Sequence, residues 1–564
     1  MIKFTNIQDK NQLANVLNIK PKYLNYILYV KKVDNYYTEF EILKKNGEMR
    51  KIHAPTGILK SIQKNLSILL SEYQSYPYSK NYKGNKISHA FEKNKSIITN
   101  AKIHRNKKYI LNIDLECFFD SFHFGRVKGF FEKNNFFKLP SEIALILAQM
   151  CCYKGCLPQG APTSPIITNL ICKILDIRLL KISKSFKLDY TRYADDLTFS
   201  TNDNAFLENK TKFMKLLTKE IEHAGFKLNT TKTRLQYNTS RQEVTGLVVN
   251  KKINVKKSYY KTTRAMANTL YRTGQFTIDN NSGTINQLEG RFSFINQIDK
   301  YNNSLIKKKD FFNLNSREKE YQKFLFYKYF FSNEKPLIVT EGKTDIVYIK
   351  SALKNLYTEY PNLILKKDDG SFEFKISFLK RTKRLNYFFN FAQDGADSMK
   401  NLYNFFDKNK SNNSYPHYSN YFSKISNRKP NFPIIFIFDN ELNTKNKPLH
   451  KFINYINLCE SKSLKFQEYY KVNLVDNLYL LTNQLIQHKS ECEIEDLFDN
   501  QTLTHIISGK TFNRNLKKLD GTNHYSKEIF SKYISENYKT INFDNFKPLL
   551  NNLNEILKDY ISDI

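Results

Sequence analysis

The chain has 564 residues, 89 Lys plus Arg and 54 Asp plus Glu, for a formal net charge of +35. That length exceeds one hydrophobic core and predicts two or three domains at roughly 100–200 residues each. Apolar residues at 41% exclude wholesale disorder. No run approaches the roughly 18 apolar residues of a membrane span. The N-terminus, Met1-Ile2-Lys3-Phe4-Thr5-Asn6, carries neither a signal peptide's apolar stretch nor a lipidation motif. Seven cysteines without paired Cys-x-x-Cys spacing fit reduced thiols and a cytoplasmic protein.

An AT-rich codon bias accounts for abundant Lys, Asn, Ile, Tyr and Phe and for the absence of Trp, but it spreads lysines evenly. The charge is uneven. Residues 1–330 carry 56 Lys plus Arg against 27 acids, and residues 331–564 carry 33 against 27. A field that one-sided predicts a polyanion partner, most often nucleic acid.

In chain order, Leu59 to Leu70 has apolar residues at helical spacing. Tyr109 to Leu115 alternates and reads as a strand with Asp114 near its end. Residues 141–153 read as a buried helix. Thr191 to Ser200 reads as two short strands around the acidic turn Asp195-Asp196. Residues 258–272 and 286–301 read as helices, and Lys307-Lys308-Lys309-Asp310 as a surface connection. Pro336 to Thr340 opens a new apolar strand, followed by Glu341-Gly342-Lys343-Thr344-Asp345 and a helix to about Leu356. Pro433 to Phe438 is a second buried strand, ending at Asp439. Strand, acidic loop, helix, then another strand ending in acid predicts a parallel α/β sheet. Residues 401–432, rich in Asn, Ser and Tyr, read as a surface insertion. Cys151, Cys152 and Cys156 lie in an apolar stretch without a clear fourth zinc ligand, and read as buried thiols.

Three carboxylates from neighbouring strands, Asp114, Asp195 and Asp196, are hard oxygen donors suited to two Mg²⁺ ions, which can activate a 3′-hydroxyl and stabilise a leaving pyrophosphate. Between them lies Leu157-Pro158-Gln159-Gly160-Ala161-Pro162-Thr163-Ser164-Pro165, where Gly160 permits close backbone approach and Gln159 can hydrogen-bond a nucleotide. With Tyr193-Ala194-Asp195-Asp196, this order resembles the reverse transcriptases over roughly residues 20–330. The resemblance implies a right-hand fingers–palm–thumb polymerase, with fingers and palm over 1–250 and a thumb with RNA-binding helices over 251–330. It implies a metal-binding catalytic triad of Asp114, Asp195 and Asp196. It also implies a steric gate at Phe119 that favours dNTPs over rNTPs, and nucleotide contacts from Gln159 and Lys232. In the expected thumb, Lys251, Lys252, Lys256, Lys257, Lys261 and Arg264, with Tyr259 and Tyr260 among them, suit phosphates and unpaired bases.

Asn100-Ala101-Lys102-Ile103-His104 and Val244-Thr245-Gly246 resemble the Asn-Ala-x-x-His and Val-Thr-Gly signatures of retron reverse transcriptases. This implies a structured non-coding RNA partner, priming from a guanosine 2′-hydroxyl, and a branched RNA–DNA product (msDNA). It implies RNA contacts by Asn100, His104, Val244, Thr245 and Gly246, although His104 also reads as a core histidine. The unit around Glu341 resembles the first motif of the TOPRIM fold, and Asp439-Asn440-Glu441 its Asp-x-Asp motif with Glu in the second acidic place. This implies a TOPRIM-like α/β domain over 331–500, completed by 501–564. Glu341 would be the general acid/base and would join Asp439 and Glu441 around one or two Mg²⁺, with Asp345 assisting. Gly395 matches a small-residue turn of that fold, and Glu495 a later acid of its nuclease branch. The whole resembles a retron subtype in which the TOPRIM part is an antiphage nuclease effector, with an oligomer as one possible assembly. Two alternatives remain. One is a ribonucleoprotein scaffold with an inactive TOPRIM module. The other is a mobile-element reverse transcriptase such as a group II intron protein, against which stands the lack of a maturase region and a His-Asn-His motif.

Overall fold

The computed structural model describes residues 3–44, 47–74, 87–305, 310–392, 397–410, 412–486, 489–515 and 523–562. The basic run Lys307–Lys309 and the turn at Gly395 lie outside them. The chain divides into two compact units, Met1–Lys257 and Ser258–Ile564.

The first unit opens with an antiparallel hairpin, β1 (Tyr37–Leu43) and β2 (Met49–Pro55). Helix α1 (Gly57–Ser71) follows, burying Leu59, Ile62, Leu66 and Leu70, and then the short helix α2 (Ile97–Ile103). Strand β3 (Tyr109–Glu116) alternates as expected: Ile113 and Leu115 are buried, while Asn112, Asp114 and Glu116 stand on the more open side. Helix α3 (Ser164–Ser185), strands β4 (Asp189–Tyr193) and β5 (Asp196–Thr201), helix α4 (Ala205–His223) and strand β6 (Lys227–Tyr237) complete the layer. Its antiparallel sheet runs β4-β5-β3-β6. A small hairpin, β7 (Glu243–Val244) and β8 (Leu247–Val248), ends the unit. The helix expected at 141–153 is Ser141–Cys151, with seven buried residues. Cys151 and Cys152 are buried and Cys156 is partly so, all three as free thiols.

The second unit begins with α5 (Lys257–Thr273), α6 (Ile285–Ser304) and α7 (Ser316–Phe326). These helices occupy most of the stretch expected as a thumb. Then come β9 (Leu337–Thr340), α8 (Lys343–Asn355), β10 (Ser377–Phe378), α9 (Tyr418–Ser426), β11 (Ile434–Phe438), β12 (Lys471–Val475), β13 (Leu478–Thr482), α10 (Lys527–Glu536) and α11 (Lys547–Ser562). The sheet order is β10-β9-β11-β13-β12, parallel except at the β12 edge. Both faces are covered. Val339, Phe436 and Leu480 pack toward the aromatic layer that includes Phe292, Phe324 and Phe326. Ile338, Ile435 and Leu481 pack toward Ile349 of α8, Phe530 of α10 and Leu553 of α11. Two-sided burial explains why these strands read as unbroken apolar runs.

The reading of 401–432 as a surface insertion is wrong. Leu402, Phe405, Phe406 and Phe422 are fully buried, and Tyr418 nearly so. Phe326 of α7 meets Phe406 and Tyr418 at ring distances of 5.1 and 5.5 Å. Polar residues interleaved with these rings hide the core pattern, and two of them, Asn404 and Ser419, are themselves buried. Among the described residues no helix is long and apolar enough to cross a membrane.

Candidate functional site

Asp114 of β3 and Asp196 of β5 are direct cross-strand partners. Asp195 lies in the two-residue turn between the paired Tyr193 and Asp196, preceded by Ala194 at φ 57°. The Leu115 amide donates to the Asp195 carbonyl at 3.1 Å, tying this turn to β3. Burial first, then the charges of Asp195 and Asp114, push Asp196 up to about 7. Burial and Asp114 likewise raise Asp195, against Lys232 and Arg50. Like charges crowded in a half-dry cleft favour proton uptake, and the nearby cations Lys232, Arg50 and Arg234 offset that only in part.

The turn rests on a fully buried ion pair. Arg192 Nε and Nη2 donate to Asp176 Oδ1 and Oδ2 of α3, each at 2.8 Å. Its Nη1 donates to Asn169 Oδ1 and to the Ala194 carbonyl, each at 3.2 Å. Tyr190 donates to the same Asp176 at 3.0 Å, and the Asn169 amide reaches the Ala90 carbonyl at 2.8 Å. Arg192 is a site residue that motif matching misses. An arginine inside an otherwise buried strand is the available signal, because such a charge needs a partner.

Lys232 reaches Asp114 through an irregular strand pairing. Between Asn112↔Arg234 and Asp114↔Asn229, the single β3 residue Ile113 faces four β6 residues, Thr230 to Thr233. The bulge turns Lys232 Nζ onto Asp114 Oδ1 and Oδ2 at 3.1 and 3.2 Å, and Asn229 Nδ2 donates to Oδ1 at 3.3 Å. Asn112, Asp114, Asp196, Thr231, Lys232 and Arg234 line an open cleft of about 310 Å³. Phe119 is half-buried, edge-on to Phe118 at 5.5 Å. Gln159 accepts from the His53 amide of β2 through its carbonyl at 2.8 Å. At Gly160, φ is 122° and an added Cβ would stand 2.8 Å from Ile52 Cγ2 and 2.9 Å from the His53 carbonyl, so only glycine fits beneath the hairpin.

The two retron-like signatures are neighbours. Thr245 Oγ1 donates to the Ile97 carbonyl of α2 at 3.5 Å, and the Asn106 amide donates to the Val249 carbonyl at 3.0 Å. Thr245 (φ 46°) and Gly246 (φ 80°) form the two-residue turn between β7 and β8. The expected RNA contacts need correction here. Asn100, His104 and Val244 are fully buried, leaving Thr245 and Gly246 as the surface-facing members. His104 Nδ1 and Nε2 each lie 2.7 Å from a hydroxyl, Ser200 of β5 and Thr191 of β4. It is a core histidine that staples α2 to the acidic hairpin β4–β5.

In the second unit, Glu341 and Asp439 follow the adjacent parallel strands β9 and β11. Strand ends of this kind are the usual ligand edge of a parallel sheet. The Asp439 amide donates to Glu341 Oε1 at 3.1 Å. Asp439 Oδ1 accepts from the Ile494 amide at 2.7 Å. Burial, then the charges of Asp345, Glu341 and Glu495, raise Asp439 well above the carboxylate range. Burial, Asp345 and Glu441 raise Glu341. Asp345 accepts from the Gly342 amide at 2.8 Å and caps α8. Glu441 is engaged by Lys447. Glu495, fully buried, pairs with Lys527 of α10 at 3.0 Å. Among the described residues, no three His, Cys, Asp or Glu side chains already stand in a metal-holding arrangement. Both groups are nonetheless all-oxygen donor sets under mutual repulsion, which suits a hard divalent cation. At Asp114 the Lys232 ammonium now supplies the positive charge.

Residues 42–267 match the family model for reverse transcriptase (RNA-dependent DNA polymerase). A sheet bearing these acids, a Pro-Gln-Gly loop and a Tyr-Ala-Asp-Asp turn is thus the core of a reverse transcriptase. The retron Ec86 reverse transcriptase of Escherichia coli is 34% identical over 293 residues, covering 51% of this chain and 84% of that protein. The retron Mx162 and Mx65 reverse transcriptases of Myxococcus xanthus are each 32% identical, over 44% and 41% of this chain. The chain spans only 54% and 55% of those two proteins. The chain belongs to the retron reverse transcriptases.

His104 gives a pH signature. Burial holds its ring neutral, lowering its pKa to about 3. The unfolded ring takes up a proton near pH 6.5, so this contribution is complete above 6.5 and is lost as pH falls toward 3. The expected loss is about 1.4 kcal/mol per pH unit. Melting curves of the full chain between pH 7 and 5 should show a steeper acid limb for the wild type than for His104→Gln, although the variant is less stable at pH 7. Parallel limbs would contradict the assignment.

Proposed function

We propose that the chain copies a structured non-coding RNA into DNA, giving a branched RNA–DNA product, and that its second unit is a TOPRIM-like, Mg²⁺-dependent nuclease effector in antiphage defence. The observation that carries the polymerase reading is the register of Asp114 against Asp196, with Asp195 in the adjoining turn. What Mg²⁺ supplies when bound by Asp114, Asp195 and Asp196 is charge stabilisation at the attacking 3′-oxygen and the departing pyrophosphate. The remaining work belongs to the chain. Lys232, Arg234 and Arg50 bring positive charge to the triphosphate. Phe119 presents a ring against a ribose 2′-hydroxyl and so selects dNTPs, and Gln159 lines the nucleotide site. Thr245 and Gly246 meet the RNA at an exposed turn, supported from behind by Asn100, His104 and Val244. Residues 251–330 act as a thumb. The protein works in the cytoplasm, and a homo-oligomer is compatible with the reading.

The effector reading is supported by Glu341 and Asp439 at adjacent parallel strand ends, with Glu495 buried beside them. Glu341 acts there as general acid/base, and Asp439 and Glu441 hold the metal. A second reading, in which this unit is an inactive scaffold, draws on the Lys447 hold on Glu441 and on the capping task of Asp345.

Two measurements separate these readings. Asp195→Asn with Asp196→Asn should reduce DNA synthesis on the cognate RNA to background while RNA still co-purifies; retained synthesis would refute the polymerase site. Purified full-length protein with Mg²⁺ should cleave nucleic acid, and Glu341→Ala should abolish cleavage. Equal cleavage by both proteins, or none by either once the branched product is removed, favours the scaffold.

A further inference from the structure

The N-terminal segment carries a surface that the polymerase reading leaves without a task. Helix Pro21–Asn25 runs on through a π turn, Tyr26–Val30. Its inner side is Leu24 and Ile27, both fully buried. Its outer side is a row of rings: Tyr23 is 52% exposed, Tyr26 47% and Tyr29 57%. Tyr23, Tyr26 and Tyr29 recur every third residue and all three are exposed, opposite the buried Leu24 and Ile27, so the rings share the outer side. Three large rings exposed on one short segment mark a candidate contact surface.

Along the chain the charges that flank the rings are of one sign from Lys20 to Lys32, with Asp34 next. Lys20 and Lys22 stand before the rings and Lys31 and Lys32 after them, and residues 20–32 contain no Asp or Glu. Lys10 Nζ donates to Asn25 Oδ1 at 3.2 Å and lies 4.9 Å from the Tyr29 ring centre, setting an ammonium beside a ring. Rings interleaved with lysines offer stacking and phosphate neutralisation together. A protein partner would need to bring acids of its own. A duplex keeps its bases covered and gives the rings nothing to stack on.

We infer that Tyr23, Tyr26 and Tyr29 form a stacking platform for the unpaired bases of a single-stranded nucleic acid, whose phosphates are met by the flanking lysines. The inference rests on the polymerase reading for the presence of such a strand, and it adds a binding surface made of residues that do not line the acidic cleft.

The test uses the full-length chain, an unstructured fluorescent oligoribonucleotide and a blunt RNA duplex of equal length. Tyr23→Ala/Tyr26→Ala/Tyr29→Ala should weaken single-strand binding by about tenfold or more, with duplex binding little changed. The triple Phe variant, which keeps the rings, should bind like wild type. Replacing Lys20, Lys22, Lys31 and Lys32 by Gln should flatten the salt dependence of binding by about 0.7 in log–log slope per lysine engaged. Primer extension on a pre-annealed template should persist in every variant and reports the polymerase separately, so a wild type that fails to extend points to the polymerase reading instead. Single-strand binding unchanged by the Ala variant, equal loss on the duplex, or failure of the Phe variant to rescue would overturn the platform. A change of oligomeric state in the Ala variant with strand binding intact would also overturn it, and would assign the surface to self-contact.

Discussion

The buried pair of Arg192 and Asp176 is the constraint on which the polymerase site depends. Taking a guanidinium and a carboxylate out of water costs several kcal/mol per ion, recovered only if every donor finds an acceptor. Here the donors are divided among Asp176, Asn169 and the Ala194 carbonyl. The last contact matters most. Ala194 sits at positive φ in the turn that carries Asp195, a conformation that a non-glycine residue keeps only when its surroundings impose it. The Arg192 backbone joins in as well. Its amide donates to the Ile87 carbonyl at 2.9 Å, and its carbonyl accepts from the His89 amide at 2.8 Å. His104 then fixes the outer half of the same hairpin through Thr191 and Ser200. The acidic turn is therefore held from a helix, from a neighbouring segment and from the signature helix α2.

The two acidic groups manage repulsion differently. In the first, Lys232 and Arg234 line an open cleft and Arg50 acts on Asp195, so positive charge offsets the acids without closing the site. In the second, the cations are committed. Lys447 holds Glu441, Lys527 holds Glu495, and Arg381 Nη2 donates to the Thr340 and Glu341 carbonyls at 2.9 and 2.7 Å. The overall charge follows the same division. Met1–Lys257 carries 44 Lys plus Arg against 21 acids, and Ser258–Ile564 carries 45 against 33. The second unit carries about half the net positive charge of the first, so it has less bulk attraction for a polyanion and relies more on local contacts.

Strands β3, β5, β9 and β11 are legible in the sequence because period-2 alternation and unbroken apolar runs report one-sided and two-sided burial directly. The acids are legible because they stand at strand ends and turns. What stays hidden depends on partners distant in the chain. The bulge that brings Lys232 onto Asp114 is a register event between strands more than a hundred residues apart, invisible to local spacing. The core role of 401–432 is masked because Phe405, Phe406 and Phe422 are interleaved with Asn, Ser and Lys without one clean period. The burial of Asn100, His104 and Val244 shows the limit of a motif. It identifies positions that matter without saying whether they face the ligand or hold up the residues that do.

The most direct test of the central constraint is steady-state primer extension by Arg192→Lys alongside its melting curve. Lysine keeps the charge but cannot span both Asp176 oxygens and the Ala194 carbonyl at once. The account predicts a folded protein whose kcat falls by about tenfold or more, with KM for dNTP nearly unchanged, because the turn bearing Asp195 loses its register while the nucleotide contacts remain. A folded Arg192→Lys variant with wild-type kcat would contradict it.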